Sequence, residues 1–289
     1  MTSSSLTDIT SDAALAPHVD QRVTVIVPTR RRISLRQLFG VLGFLRVLAS
    51  RDMKVKYKQS LLGPLWLAFQ PLALLLAFIV AFRGLGNVHT GDVPYAVFAL
   101  VGLSAWAYFQ AAVTICVPSM VSNMQLVRWT PAPRIALFAS GLISSLPSLG
   151  ITAAAAIISA AITGHLSPRV LLLPFAAVWL VVLTAGPAAI LAALTVRFRD
   201  VLSLLPFLLQ LGSFVAPVGY ALAGLSPTTR HIVELNPLTG LIEAMRWMVL
   251  SGYHPELGPI LLALGITGVV TTLGWYVFGW SEVTMADVI

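Results

Sequence analysis

The 289-residue chain has one cysteine, three lysines and only 10% charged residues. Cys116 alone excludes an intrachain disulfide and a cysteine-ligated metal site. The lysines, Lys54, Lys56 and Lys58, crowd one stretch and none follows a glycine, so the chain carries no G-x-x-x-x-G-K-[ST] loop to cradle nucleotide phosphates. The histidines, His18, His89, His165, His231 and His254, lack metal-ligand spacing, and no paired carboxylates occupy a long apolar run. No constellation supports catalysis. Glu234 and Glu256, close in sequence to His231 and His254, leave a membrane-embedded glycan or lipid transferase as a distant enzyme reading.

What the chain has is apolar length. Hydrophobic residues make up 57% of it and the mean hydropathy is +0.89, far outside soluble norms. Charge-free runs extend over Gln59 to Phe82, Val93 to Val127, Ile135 to Leu166, Val170 to Val196, Val201 to Thr229 and Leu257 to Ser281. Each exceeds the ~20 residues that cross a ~30 Å hydrocarbon layer. Backbone inside lipid must satisfy its own hydrogen bonds, so these Ala/Leu/Val-rich runs, without alternating polarity, predict an all-α protein with six spanning helices. An intramembrane charge costs at least ~2.5 kcal/mol and marks ion pathways. The absence of Asp, Glu, Lys and Arg from all six runs therefore argues against proton or sodium coupling.

The net charge of +7 would suggest nucleic acid in a soluble chain, but ten of the eighteen Lys and Arg residues precede Pro64. The excess reads as a topology signal, and no nucleic-acid partner is expected. With a cytoplasmic amino terminus, inner segments hold fourteen basic residues, including Arg128, Arg134, Arg197 and Arg199. Outer segments hold four, Arg83, Arg169, Arg230 and Arg246. Both termini are expected on the cytoplasmic side. The first thirty residues are rich in Ser, Thr and Asp, which predicts a disordered tail over 1–30 and no cleavable secretory signal.

From Ser34, apolar residues recur at Leu35, Leu38, Leu42, Leu45, Ala49 and Met53, one face of an amphipathic interface helix within 31–60. Two readings of it stand. It anchors the first span through ~1 kcal/mol per basic residue near an anionic surface. Alternatively, Arg51, Lys54, Lys56 and Lys58 also receive an anionic lipid headgroup such as a pyrophosphate through charge-assisted hydrogen bonds. Leu62, Gly63 and Pro64 then predict a sharp bend and a fresh helix start, either a hinge or an ordinary elbow.

The order RDMKVKYKQSLLGPLWLAFQPL from Arg51 to Leu72 resembles the opening segment of the membrane subunits of bacterial type-2 ABC exporters for O-antigen, teichoic acid and related polysaccharides. The resemblance extends to Arg197-Phe198-Arg199-Asp200, to Asn236-Pro237-Leu238-Thr239 with Arg246 downstream, and to the number of apolar runs. It implies a homodimeric permease in the bacterial inner membrane, residues 61–289 forming the transmembrane domain, that works with two copies of a P-loop ATPase. ATP and Mg would be bound by that partner, and this chain would bind no cofactor. It further implies a cytoplasmic gate at the Leu62-Gly63 bend, ATPase contact around Arg128, Pro131, Pro133 and Arg134, and an external gate near Asn236, Pro237, Glu243 and Arg246. Arg197, Arg199 and Asp200 serve either to retain an inner turn or, by the resemblance, to meet the ATPase.

The runs also contain aromatics with amides nearby: Trp66, Phe69 and Gln70 in the first, Trp106, Tyr108, Phe109 and Gln110 in the second, Gln210 with Phe214 in the fifth. Aromatic faces beside amides suit sugars, which present C–H patches and hydroxyls together, although interfacial belts and lipid contact also explain the rings. Pro206, Gly212, Ser213, Pro217 and Gly219 suit a dimer interface or a mobile pore wall. Leu238 to Leu250 is too short to span and fits either a re-entrant hairpin at the outer mouth or an interfacial cap, with Glu243 and Arg246 expected as a surface pair worth tenths of a kcal/mol. The reading is a permease for a lipid-linked polysaccharide moving outward. A type-2 exporter of a small lipid or drug and a glycan-modifying membrane enzyme are its rivals.

Overall fold

Helix dominates the backbone because an uncharged sequence of this kind has no other way to satisfy its amides in lipid. The computed structural model describes residues 43, 45, 47–51, 63–84, 92–123 and 134–288, all within one compact unit, Phe39–Ile289. Residues 47–51 are helical, with Leu48 and Ala49 buried and Val47 exposed. The tail over 1–30, Lys54, Lys56, Lys58, Leu62, Arg128, Pro131 and Pro133 lie outside the described residues.

Gly63 takes φ +51, a region that disfavours side chains, and opens a tight turn, Gly63–Leu65, that leads directly into α1, Trp66–Gly84. There follow α2, Tyr95–Cys116; α3, Arg134–Ser144; α4, Leu146–Ile162; α5, Leu173–Arg197; α6, Asp200–Val215; α7, Pro227–Glu234; α8, Pro237–Val249; and α9, Leu257–Val288. Among the described residues there is no strand, only an isolated bridge between Leu166 and Leu250. Local chemistry sets several boundaries: Ser226 and Asn236 accept from the backbone N–H groups of Thr229 and Leu238, each followed by proline in the first helical position. Where α3 breaks into α4, the hydroxyls of Ser144 and Ser145 donate to the Gly141 carbonyl.

Tyr95–Cys116, Ile135–Ile162, Pro168–Arg197 and Leu257–Trp280 are long and apolar enough to cross a membrane. The first and fifth runs form shorter helices of 19 and 16 residues. At 1.5 Å per residue α6 falls short of a ~30 Å core. It stops because Ala216 turns to extended backbone, beginning an irregular stretch to Tyr220.

Helix α2 is the centre of the bundle, buried along most of its length, whereas α9 turns Leu261, Val269, Leu273, Tyr276 and Trp280 outward. Such a face suits lipid and would be a liability in water. The most extensively packed helix pair is α5 with α9. A Cβ on Gly274 would stand 2.5 Å from the Gly186 carbonyl oxygen, and one on Gly186 would stand 2.9 Å from the Thr271 backbone. Around this crossing Trp179 donates to Thr267 (3.1 Å) and Thr271 to the Val182 carbonyl (3.0 Å). Small residues let backbones meet where no hydrophobic force separates helix from lipid. Replacing Gly274 by valine forces these backbones apart, and folding stability is expected to fall by an overpacking cost of about 1–3 kcal/mol, read by denaturation of the detergent-solubilised protein.

Candidate functional site

A cavity of ≈ 780 Å³ opens between α1, α2 and α6, lined by Trp66, Gln70, Trp106, Gln110, Thr114 and Gln210 among others. It lies toward the end of the bundle where α1 begins, α2 finishes and α6 starts. Each helix contributes residues four apart: Trp66 with Gln70, Trp106 with Gln110 and Thr114, Pro206 with Gln210. That spacing keeps side chains on one helical face.

Three glutamines of the apolar runs, Gln70, Gln110 and Gln210, line this cavity. Neighbouring side chains reach only the backbone carbonyls of Gln110 and Gln210, through Thr114 and Ser213; among the described residues nothing engages the three side-chain amides. The rings are ordered around them. Trp66 meets Phe69 edge-on at 5.3 Å, and Trp106 lies 5.4 Å from Phe109. A wall of amides and indoles offers hydrogen-bond donors, acceptors and C–H-binding faces together, without a titrating group among the described lining residues.

Tyr108 is not part of this wall. It is fully buried on another face of α2 and donates to the Leu142 carbonyl at 3.1 Å. Phe69 and Phe109 stand beside the lining tryptophans rather than in the lining. Arg51 donates to Asn123 Oδ1 at 2.8 Å, tethering the basic segment near the end of α2. Arg134 is the first residue of α3. Arg197, Arg199 and Asp200 are exposed at the α5–α6 turn, the Arg197 guanidinium lying over the Phe198 ring at 5.6 Å.

At the opposite end, α7 and α8 pack as two short helices, and here the surface pair expected of Glu243 and Arg246 is corrected. Both side chains are buried, Arg246 with no exposed surface, and they pair at 2.9 Å. Arg246 Nη2 donates to the carbonyls of Pro217 (2.6 Å) and Val218 (3.1 Å), and its guanidinium stacks on Phe98 at 3.5 Å. Tyr253 donates to the other Glu243 oxygen at 2.6 Å, and Tyr95 to the Gly219 carbonyl at 2.9 Å. Gly102 admits the loop, since a Cβ there would meet the Val218 carbonyl at 2.7 Å. Sequence spacing at i, i+3 reads as an exposed pair. The partners that bury it lie 28 and 29 residues upstream and are backbone atoms, which leave no trace in residue identity.

A second cavity of ≈ 550 Å³ lies beside this network, lined by Asp92, His165, Arg230, Glu243, Tyr253 and Glu256 among others. Arg230 clamps Glu234 at 2.7 Å and also pairs with Glu256, and these hydrogen bonds raise its pKa further. Burial pushes the Tyr253 hydroxyl well above its ordinary value, and the Glu243 charge adds to the effect. Tyr220 is raised by burial and partly relieved by Arg246. Among the described residues no three His, Cys, Asp or Glu side chains gather to hold a metal ion.

Replacing Arg246 by methionine strands Glu243 and the loop carbonyls without a partner. Folding stability is expected to fall by about 3–5 kcal/mol, with partial recovery on adding Glu243→Gln, read by denaturation in detergent. The raised Tyr253 value means the folded state holds that proton more tightly than the unfolded chain. Its stabilising contribution is full below the ordinary tyrosine value of 10.0 and is lost as pH rises through the higher folded value. The unfolding midpoint is expected to drop in alkali, and Tyr253→Phe is expected to flatten that drop.

Residues 44–250 match the family described as ABC-2 type transporter. The chain is 26% identical over 264 residues to an O-antigen export system permease protein RfbA of Klebsiella pneumoniae, covering 90% of this chain and 99% of the relative. A protein of the same name from Myxococcus xanthus is 26% identical over 239 residues, 82% of this chain and 91% of its own length. The polysialic acid transport protein KpsM of Escherichia coli is 23% identical over 209 residues, 71% of this chain and 81% of its own. The matched span contains α1 to α8 and the helices that wall the larger cavity. This multi-pass membrane chain belongs to the ABC-2 type transporter family, as a transport subunit and not an enzyme.

Proposed function

We propose that the chain is the permease of an ATP-driven exporter that carries a lipid-linked polysaccharide from the cytoplasmic to the outer side of the membrane. The observation that carries this reading is the convergence of Gln70, Gln110 and Gln210, from three helices, on one cavity with Trp66 and Trp106. An amide facing hydrocarbon without a partner costs several kcal/mol. Three amides lining one cavity are therefore there to be hydrogen-bonded by what fills it, and indole faces in the same lining suit the C–H side of a sugar ring. Relatives whose names specify O-antigen or polysialic acid transport support the same class of cargo.

Six helices enclose little room for a polymer, so two copies form the conduit, with the α1 and α6 walls of the cavity turned toward the shared path. ABC-2 permeases work with a separate ATPase subunit, two copies of which supply ATP and Mg. The exposed Arg197, Arg199 and Asp200 turn, together with Arg128, Pro131, Pro133 and Arg134, meets that motor. Arg51, Lys54, Lys56 and Lys58 receive the anionic headgroup, and the segment Leu62, Gly63 and Pro64, which turns at Gly63, gates the inner end. The α7–α8 pair, begun at Asn236 and Pro237 and held by Glu243 and Arg246, gates the outer end.

Gln70→Leu, Gln110→Leu and Gln210→Leu combined keep the helices apolar while removing the amides. In vesicles holding the permease with its ATPase, export of a lipid-linked glycan is expected to fall at least about tenfold, from hydrogen bonds worth about 1 kcal/mol each. Membrane insertion is expected to be unchanged. Undiminished glycan export in the triple variant would remove the glycan-path reading, and transport of a small amphiphile in place of glycan would favour the drug or lipid exporter.

A further inference from the structure

Glycine inside a helix is unfavourable relative to alanine, so one in mid-helix needs a packing reason. For most crowded glycines in this protein the reason is backbone. A Cβ on Gly186, Gly274 or Gly240 would run into the main chain of a neighbouring helix, and one on Gly102 into the carbonyl of a neighbouring loop. Gly212, in α6, is different. Its three nearest neighbours are all atoms of one side chain, the Trp106 indole: Cη2 at 2.7 Å, Cζ3 at 3.5 Å and Cζ2 at 3.6 Å from a built Cβ.

We infer that Gly212 is the positioning residue for Trp106, and that the missing side chain at 212 sets how wide the cavity between α1, α2 and α6 stands. The indole lines that cavity yet is only 3% exposed, because its outer edge rests in the space a side chain at 212 would fill. Phe109 holds the ring from within α2, at 5.4 Å and tilted by 35°. A methyl group at 212 leaves the ring one direction of escape, away from α6. The indole then moves toward Phe109 or into the cavity, and either movement shifts the wall that faces Gln110 and Gln210. Under the glycan-path reading, on which this inference rests for its functional meaning, Gly212 thereby determines the girth of saccharide chain admitted and the angle at which a sugar ring meets the indole. The residue touches no cargo itself.

The test uses the permease with its ATPase in vesicles and two readouts. Gln210→Cys serves as a reporter, labelled by a charged methanethiosulfonate, with the protein carrying only the buried Cys116 as background. Export of a lipid-linked glycan is measured separately in chains that keep Gln210. Gly212→Ala is expected to slow labelling and export by about tenfold, as an overpacked contact would. Adding Trp106→Phe, which withdraws the colliding ring edge, is expected to bring both back to the level of Trp106→Phe alone, a coupling that two independent sites would not show. Parental labelling in Gly212→Ala, or no recovery in the double variant, overturns the inference. Altered labelling with unaltered export keeps the positioning role and sinks the glycan path instead. If Gly212→Ala fails to accumulate, the double variant must accumulate; its failure too would overturn the coupling.

Discussion

Hydrocarbon offers a polar group nothing to bond with, and the arrangement of this protein follows from that constraint. Hydroxyls within the helices return to carbonyls of their own turn, as Thr152 does to Ser148, Thr184 to Leu180 and Thr272 to Gly268. The Thr195 hydroxyl also reaches across to the Val117 carbonyl, and the Trp179 indole N–H donates to the Thr267 hydroxyl. Against this background of satisfied groups, Gln70, Gln110 and Gln210 stand out because their amides have no partner among the described residues and share one cavity. The same constraint supports the proposal that this cavity receives a hydrogen-bonding cargo.

The opposite end of the bundle answers the constraint with a charge. Helix α6 ends at Val215, and the irregular backbone from Ala216 to Tyr220 has carbonyls that no helix satisfies. Arg246 supplies donors to three of them, Pro217, Val218 and Tyr220, and Tyr95 to a fourth, Gly219. A guanidinium taken wholly out of solvent needs a counter-charge, which Glu243 provides, and Tyr253 occupies the second carboxylate oxygen. The short α6 and the buried ion pair are thus one arrangement seen from two sides. Loss of the pair would release the loop, and a longer α6 would leave Arg246 without acceptors.

Much of the cavity was legible in the chain. Trp66, Gln70, Trp106, Gln110 and Gln210 are conspicuous because amides and indoles are scarce in uncharged runs, and their four-residue spacing already assigns them to single helical faces. That rule also separates Trp106 from Tyr108, which at ~100° per residue lie on nearly opposite sides of α2. Which of the two sides faces the cavity is decided by packing, which turns Tyr108 to the Leu142 carbonyl instead. The α8 pair was not legible. Three-residue spacing on an amphipathic helix describes an exposed pair and a buried one equally well, and only the loop folded over Arg246 distinguishes them.

The amino-acid sequence by itself determined an all-helical, multi-pass membrane chain without a nucleotide-binding loop or a charge in its apolar runs, because hydropathy and helix-only backbone pairing act locally along the chain. Tertiary structure alone decided that three distant glutamines line one cavity, that Gly212 lies under Trp106, and that Arg246 is buried rather than exposed. Those facts depend on contacts between residues tens to more than a hundred positions apart, and such contacts arise from the packing of helices, not from the order of residues within any one of them.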